Sequence, residues 1–425
     1  MNPTQLNDAC LGTDPIVVSR QEANAELMRL SPCPACGDQL CMPLMDEEFQ
    51  PLATLAWPQS HNEAVSMKRL PLAFVRCMGC GHVYNTKFRY EEVPYSLQPN
   101  LMFNQGTVWS QHLEFVRNLI LEYISPLATV VEIGCGDGHL LRALAQRRPE
   151  GRFIGFDPHV VNQQVGCVEL RGELFVPDLH LEELRPQMLI SRHVLEHMLS
   201  PLGFLQSIAL ASSVKNIKTL LFTEVPCIDR VFDTGRVEDF YYEHNSHFTT
   251  QSFVRMLTRA NGSLQMLVHN YNREVISAIV GFGNESTGTD YAKNAIAFRS
   301  KAREAKRFVA RQLAELAASA SKTAIWGGTG KAAAFMNFFG VDAVRFPLVV
   351  DSDPNKIGSF VPGMGQKIQS RDALIRNAVD TVIIPMQWRA RDIIAEMEAA
   401  QIFVPTVLIE HNGKLIDYRK AEHPY

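Results

Sequence analysis

Histidines beside carboxylates and tyrosines recur at two places in this sequence. One is Ser191-Arg192-His193-Val194-Leu195-Glu196-His197-Met198; the other is the run from Val237 to Phe248, VEDFYYEHNSHF, which follows Thr223-Glu224-Val225-Pro226. Histidine near its ordinary pKa is the side chain best suited to take a proton at neutral pH, and a neighbouring carboxylate can orient it or raise its basicity. A tyrosine hydroxyl can donate a hydrogen bond to a developing oxyanion. His197, Tyr241, Glu243 and His244 are therefore candidates for proton abstraction coupled to oxyanion stabilisation, while Glu196 and His247 read as structural partners. On spacing alone, His197 could equally cover the sheet at a helix start, and the Tyr-Tyr-Glu-His cluster could be an ordinary polar loop.

A second chemistry belongs to sulfur. Cys33-Pro34-Ala35-Cys36-Gly37 and Cys77-Met78-Gly79-Cys80-Gly81 are two C-x-x-C pairs, each closing with a glycine that permits the turn around a bound metal. Together Cys33, Cys36, Cys77 and Cys80 supply the four soft ligands of a closed tetrahedral Zn²⁺ site, structural because no coordination position is left open. A redox C-x-x-C is the competing reading, and the duplication speaks against it. Cys41 and His82 stand near enough to substitute as ligands and rank below the four. Nine cysteines, an odd count, favour thiols or metal ligands over a disulfide framework.

Strands and helices must bring such groups together. In Val131-Glu132-Ile133-Gly134-Cys135-Gly136-Asp137-Gly138-His139-Leu140-Leu141 an apolar strand carries an acid and runs through three glycines directly into a helix. Glu132, Gly134, Gly136 and Gly138 then form a cradle for a nucleoside-bearing cofactor, with unpaired helix N–H groups at the same spot. Asp157 ends a second apolar strand, where a carboxylate can accept ribose hydroxyls, and Ser191 at the end of the fourth strand is assigned to the same pocket. Strands are expected at 129–133, 152–156, Met188–Ser191 and Thr219–Glu224, with a helix at 138–147. A short third strand is expected within VELRGELFVPDLHLEEL, bringing Asp178 or its neighbours near the adenine. Such alternation implies a mostly parallel, doubly wound sheet with ligands at the carboxyl ends of its strands.

The chain has 425 residues, too many for one core, and divides on composition. Residues 1–30 read as an extension with a short helix around Gln21 to Leu30. The Pro-, Asn- and Gln-rich stretch from Glu91 to Gln111 reads as a linker, and GFGNESTGTD marks a later boundary. A long helix from Tyr291 to Ala320 is expected to turn Lys301, Arg303, Lys306, Arg307 and Arg311 to solvent. A second strand–helix–strand unit follows, in which Gly328-x-Gly330-x-x-Ala333 and Asp351 fit the dinucleotide fingerprint in form; NAD, another ligand, or a purely structural loop are all compatible with it. A net charge of −4 with 20% charged residues gives no electrostatic footprint for nucleic acid or an anionic membrane. No basic segment followed by an apolar core opens the chain, so a soluble, cytoplasmic protein is expected.

The glycine loop resembles motif I of class I S-adenosylmethionine-dependent methyltransferases. With the four cysteines, VEIGCGDG, His197 and YYEHNSHFTTQSF in this order, the chain resembles the sugar C-methyltransferases of deoxysugar biosynthesis, from Cys33 to Ile416. The more specific parts are the paired knuckles, the EVP strand followed by x-Tyr-x-Glu-His-x-x-x-Phe, and VVDSDPNKIGSFVPG. The resemblance implies an α/β fold in three parts: a small zinc-binding domain (31–95), a class I methyltransferase doubly wound sheet (96–285) and a C-terminal Rossmann-like α/β domain (286–425). It also implies S-adenosylmethionine and structural Zn²⁺ as cofactors, and a small-molecule substrate, a nucleotide-linked 4-keto-6-deoxysugar methylated at C3. The carbon beside a ketone loses a proton and the resulting enolate attacks the methyl group in line, which asks the protein for a base, oxyanion stabilisation and alignment.

By the same resemblance Tyr241, Glu243 and His244 match the family's Tyr-x-Glu-His cluster, and His197 its histidine after the fourth strand. Tyr95 matches a tyrosine in the segment joining the first two domains, although Ser96-Leu97-Gln98-Pro99-Asn100 follows it where the family often shows a serine-rich sequence. In such proteins the C-terminal domain helps to enclose the sugar nucleotide, which accounts for a glycine loop without NAD. Three other readings stay open: an O- or N-methyltransferase on another small metabolite, a zinc-containing RNA-binding or RNA-modifying protein, and a binding or assembly protein without turnover. Oligomeric state is left open as well.

Overall fold

The computed structural model describes residues 28–95 and 106–425. Of the helix expected around Gln21 to Leu30, residues 21–27 lie outside the described residues, as do Ser96 to Asn100, and Arg29–Leu30 forms a strand instead. The chain divides into two compact units at Asp290 and Tyr291.

The first unit opens with strands β1 (Arg29–Leu30), β2 (Leu40–Pro43) and β3 (Glu48–Gln50), helix α1 (His61–Val65), and strands β4 (Leu70–Leu72), β5 (Phe74–Cys77) and β6 (Val83–Asn85). Helix α2 (Thr107–Tyr123) leads into β7 (Thr129–Ile133), α3 (His139–Arg147), β8 (Arg152–Phe156), β9 (Gln163–Val165), β10 (Val168–Arg171), α4 (Pro177–Leu184) and β11 (Met188–Arg192). Then come α5 (Pro201–Val214), β12 (Thr219–Pro226), α6 (Asp229–Thr234), β13 (Ser246–His247), α7 (Thr250–Arg259), β14 (Ser263–Asn270) and β15 (Val275–Phe282).

Eight strands form the large sheet in the order β14-β15-β12-β11-β7-β8-β10-β9. Strands β10, β8, β7, β11 and β12 are mutually parallel, and β15 closes on β12 antiparallel. Side chains alternate between the faces of a strand, so Val130 packs with Val116 and Ile120 of α2 and Leu141 of α3, while Val131 packs with Leu181, Leu205 and Phe253 of α4, α5 and α7. Both faces are thus covered, which is why these strands read as nearly continuous apolar runs. The order of the parallel strands reverses between β7 and β11, and a ligand crevice belongs at that point.

The expected third strand is β10, and Asp178 is not at the cofactor. It sits in the first turn of α4, almost fully exposed, 3.4 Å from Lys215 at the end of α5.

Around the cysteines lies a separate five-stranded sheet, β1-β2-β5-β6-β13. Its last strand comes from far along the chain: Ser246 pairs with Tyr84 and His247 with Val83. The knuckle sheet therefore holds the catalytic candidate segment directly.

The second unit begins within helix α8 (Thr287–Ala318), on which Lys301, Arg303, Lys306, Arg307 and Arg311 are all exposed. Its sheet contains β16 (Thr323–Trp326), β17 (Leu348–Asp351), β18 (Ile368–Ser370), β19 (Thr381–Ile383), β20 (Thr406–His411) and β21 (Lys414–Asp417), in the order β18-β17-β16-β19-β20-β21. Five strands are parallel and β21 is antiparallel, a Rossmann-like arrangement with Gly328 N–H donating to the Asp351 carboxylate at 3.1 Å. Among the described residues no helix is long and apolar enough to cross a membrane.

Candidate active site

The glycine loop after β7 is built to admit a ligand. Gly134 has φ +70, and a Cβ there would come within 2.5 Å of Val194 Cγ2, so both backbone and space demand glycine. Its amide donates to Phe156 O at 2.8 Å, and Gly136 N–H donates to Asp157 Oδ2 at 3.0 Å. The other Asp157 oxygen accepts from His159 N–H at 3.0 Å and lies 3.2 Å from His159 Nδ1. Asp157 thus braces the loop across β7 and β8.

At this loop opens a cavity of about 730 Å³, lined by Glu132, Gly134 and Gly136 together with His197, Tyr241 and His244. Gly138, Asp157, Ser191, Tyr95 and Glu243, also expected at the site, are not among its lining residues. Glu132 is buried with one carboxylate oxygen lacking any partner, and burial raises its pKa to about 8, with Asp137 and Asp157 adding to the rise against Arg192. An unsatisfied acid facing a glycine cradle suits a ligand that brings a positive charge and donors, as S-adenosylmethionine does. Ser191, fully buried with an unpartnered hydroxyl, stands behind it.

The histidines and tyrosines meet as the sequence suggested. Tyr95 Oη lies 2.9 Å from His197 Nδ1 and donates to Glu243 O at 2.7 Å; His197 Nδ1 is 2.8 Å from the same carbonyl. Tyr241 Oη is 2.9 Å from His244 Nε2, and the His197 and His244 rings meet edge to face with centroids 4.8 Å apart. Burial, with the neighbouring histidines His197, His247 and His193, holds His244 well below its ordinary pKa, so it is neutral and can accept a proton. Burial also raises Tyr241 and Tyr95, keeping both phenols protonated as donors.

Glu243, expected at the catalytic site, is fully buried, and its Oε2 has no hydrogen-bond partner. Its Oε1 accepts from Thr54 N–H at 2.7 Å and Leu55 N–H at 3.0 Å, so the side chain clasps the β3–α1 loop while its carbonyl fixes Tyr95 and His197.

Sequence reasoning missed a charged hub. Glu224, fully buried, takes Arg192 Nε at 3.1 Å and a second Arg192 nitrogen at 2.9 Å, and receives Ser277 Oγ–H at 2.8 Å. His112 Nε2 of α2 lies 3.2 Å away and His193 Nε2 3.3 Å. Burial opposes its charge, but Arg192 and both histidines hold its carboxyl well below the usual range. His193 itself has φ +54, a strained backbone for a side chain of this size, and lies 3.3 Å from Glu196. Burial alone would lower its pKa; Glu196 and Glu224 outweigh that and raise it to about 9. Arg192 and His193 followed the fourth strand in plain view, but their partners depend on β11–β12 register and on a helix distant in sequence.

Cys33, Cys36, Cys77 and Cys80 are buried and close enough to share one metal ion, with sulfur pairs 3.7 and 3.6 Å apart. A tetrahedral site with Zn–S of about 2.3 Å has edges of about 3.8 Å, so the geometry fits. Cys41 points elsewhere, its thiol 3.4 Å from Arg29 O, and His82 is buried between Tyr84 and Phe248 with both ring nitrogens unpartnered. Neither belongs to the metal group.

Sheet order and loop define a class I methyltransferase. A family model described as "Methyltransferase domain" matches residues 109–264, and one described as "C-methyltransferase C-terminal domain" matches 260–406. The chain belongs to a C-methyltransferase family with a class I domain and is an S-adenosylmethionine-dependent methyltransferase. No curated protein matches it. Among solved structures, the Haloferax volcanii complex of the Trm112 methyltransferase activator with a methyltransferase is similar at 12% identity and TM-score 0.33, covering 41% of this chain and 92% of that one. A SAM-dependent methyltransferase from Aquifex aeolicus is similar at 11% identity and TM-score 0.30, covering 43% and 100%. N,N-8-amino-8-demethyl-D-riboflavin dimethyltransferase from Streptomyces davawensis follows at 15% and 0.32, covering 41% of this chain and 56% of that one. The fold class rests on the strand order and the loop, not on these likenesses.

Proposed function

We propose that this enzyme methylates the carbon beside the keto group of a nucleotide-linked deoxysugar. The observation that carries the reading is the Tyr241–His244 pair, 2.9 Å apart, lining the same cavity as the glycine cradle. If His244 Nε2–H donates to Tyr241 Oη, the Tyr241 hydroxyl is free to donate to the substrate's keto oxygen and the Nδ1 lone pair is free to take the adjacent C–H proton. The C–H pair becomes the enolate, which Tyr241 stabilises. His197, pinned by Tyr95 and Glu243, fixes the position of His244 by ring contact. Bound S-adenosylmethionine supplies an electrophilic methyl group; Glu132, Gly134 and Gly136, which line the cavity, would hold it, with Asp157 bracing the loop through the Gly136 amide. One Zn²⁺ on the four cysteines would keep the knuckle sheet, and through β13 the base, in place.

Solvent deuterium should enter the carbon beside the ketone of a nucleoside-diphosphate 4-keto-6-deoxyhexose when the enzyme is added, and His244→Ala should slow this on the order of 100-fold. Exchange undiminished in a His244→Ala, His197→Ala double variant would remove the assignment.

A further inference from the structure

Glu196 is almost fully buried, at 1% exposure, on the short turn between β11 and His197. It lines the cavity; neither carboxylate oxygen meets hydrogen-bond geometry, and the one ion-pair contact, to His193 at 3.3 Å, involves Oε1. A buried acid in that condition needs a reason. One of its oxygens and a nitrogen from each of His197 and His244 lie within 4.8 Å of one another. On its other side His193 stands 3.3 Å away, held in turn by Glu224.

We infer that the Glu196 carboxylate is the counter-charge for the imidazolium formed when His244 takes the substrate proton, and so a positioning residue of that step. The inference rests on His244 being the base. Among the groups around His244, Glu196 is the acid whose oxygen lies with the ring nitrogens of His197 and His244. Glu243 is held through Oε1 by Thr54 and Leu55, with Oε2 buried and unpartnered, and Asp239 pairs with Arg236 at 3.0 Å. His193, His197 and His247 disfavour a new cation, and the Tyr95 and Tyr241 phenols are neutral donors. A buried imidazolium without a partner is costly, and a carboxylate within a few ångströms offsets the cost. In the step itself the C–H bond breaks, its electron pair stays on the substrate as the enolate, and the proton bonds to His244 Nδ1. Glu196 gains no bond; it balances charge until the proton leaves to solvent. His193 lies between Glu196 Oε1 and Glu224, 3.3 Å from each, and so limits the movement of the carboxylate.

The test uses the full chain with its metal retained, and the exchange assay on the nucleoside-diphosphate 4-keto-6-deoxyhexose. Glu196→Gln should lower kcat for exchange on the order of 100-fold, with KM and S-adenosylhomocysteine affinity within about threefold of wild type. Glu196→Asp should recover most of the rate. In the Glu196→Gln, His244→Ala double variant the loss should be no larger than in His244→Ala alone, because the carboxylate acts through the histidine. Full exchange by Glu196→Gln, or additive losses, overturns the inference while leaving the base assignment intact. Full exchange by His244→Ala removes the base assignment itself, and no exchange by wild type withdraws both. Activity restored to chelated enzyme by a divalent cation, with the four-cysteine metal unchanged, would make Glu196, His197 and His244 a metal site and overturn the inference.

Discussion

At the scale of residues, the cavity is defined by groups whose protonation is displaced by their surroundings. Glu132 has a pKa of about 8 because burial disfavours its charge, so at pH 7 it is mostly protonated. A carboxyl raised in this way stabilises the fold fully below its ordinary value of 4.5, and that contribution fades as pH rises through 8. A cationic ligand in the glycine cradle reverses the preference. Binding of S-adenosylmethionine, whose sulfonium is positive, without an acceptor substrate should therefore release up to one proton between about pH 5 and 8 and none above, read by calorimetry in buffers of different ionisation enthalpy; Glu132→Gln should abolish the release. Proton-neutral binding by wild type at pH 6.5 would contradict this account of Glu132. The glycines and the Tyr241 to His244 cluster were legible from residue types alone. Arg192, His193, His112 and Glu224 were not, because each takes its meaning from a partner brought up by sheet register or by α2.

At the scale of elements, the two-residue strand β13 joins the knuckle sheet to the catalytic segment. Ser246 and His247 pair with Tyr84 and Val83, immediately after the second knuckle. His247 Nε2 donates to Asp239 O at 3.0 Å, and Asn85 N–H donates to Asn245 O at 3.1 Å, so the segment carrying Tyr241 and His244 is fastened at both ends. The glycine loop hangs on β7 and β8, away from this sheet. Removing the metal, or Cys77→Ser, should therefore cost methyl transfer on the order of 100-fold or more while S-adenosylhomocysteine affinity stays within a few-fold. Equal loss of both, or loss of neither, would show that the knuckles do not position the base. Such a pairing was illegible in sequence, since two residues carry no periodicity and their partners lie far back along the chain. Asp178 failed as an adenine contact for a related reason: it opens an amphipathic helix whose buried face is His180, Leu181 and Leu184, leaving the aspartate outside with Lys215.

At the scale of the whole molecule, alternating apolar strands and helices were enough to read two doubly wound sheets, because each buries both faces and each glycine turn follows a strand end. The family assignment makes the chain a methyltransferase; the proposal that carbon receives the methyl group rests on the neutral His244, the protonated Tyr241 and the cavity they share with Gly134 and Gly136. The most direct test is the position of that methyl. Enzyme, S-adenosylmethionine carrying a ¹³C methyl and a nucleoside-diphosphate 4-keto-6-deoxyhexose should yield a product whose labelled methyl is bonded to the carbon beside the ketone, seen by one-bond and multiple-bond carbon–proton NMR correlations. A label on oxygen or nitrogen, or formed at an undiminished rate by His244→Ala, would contradict the account.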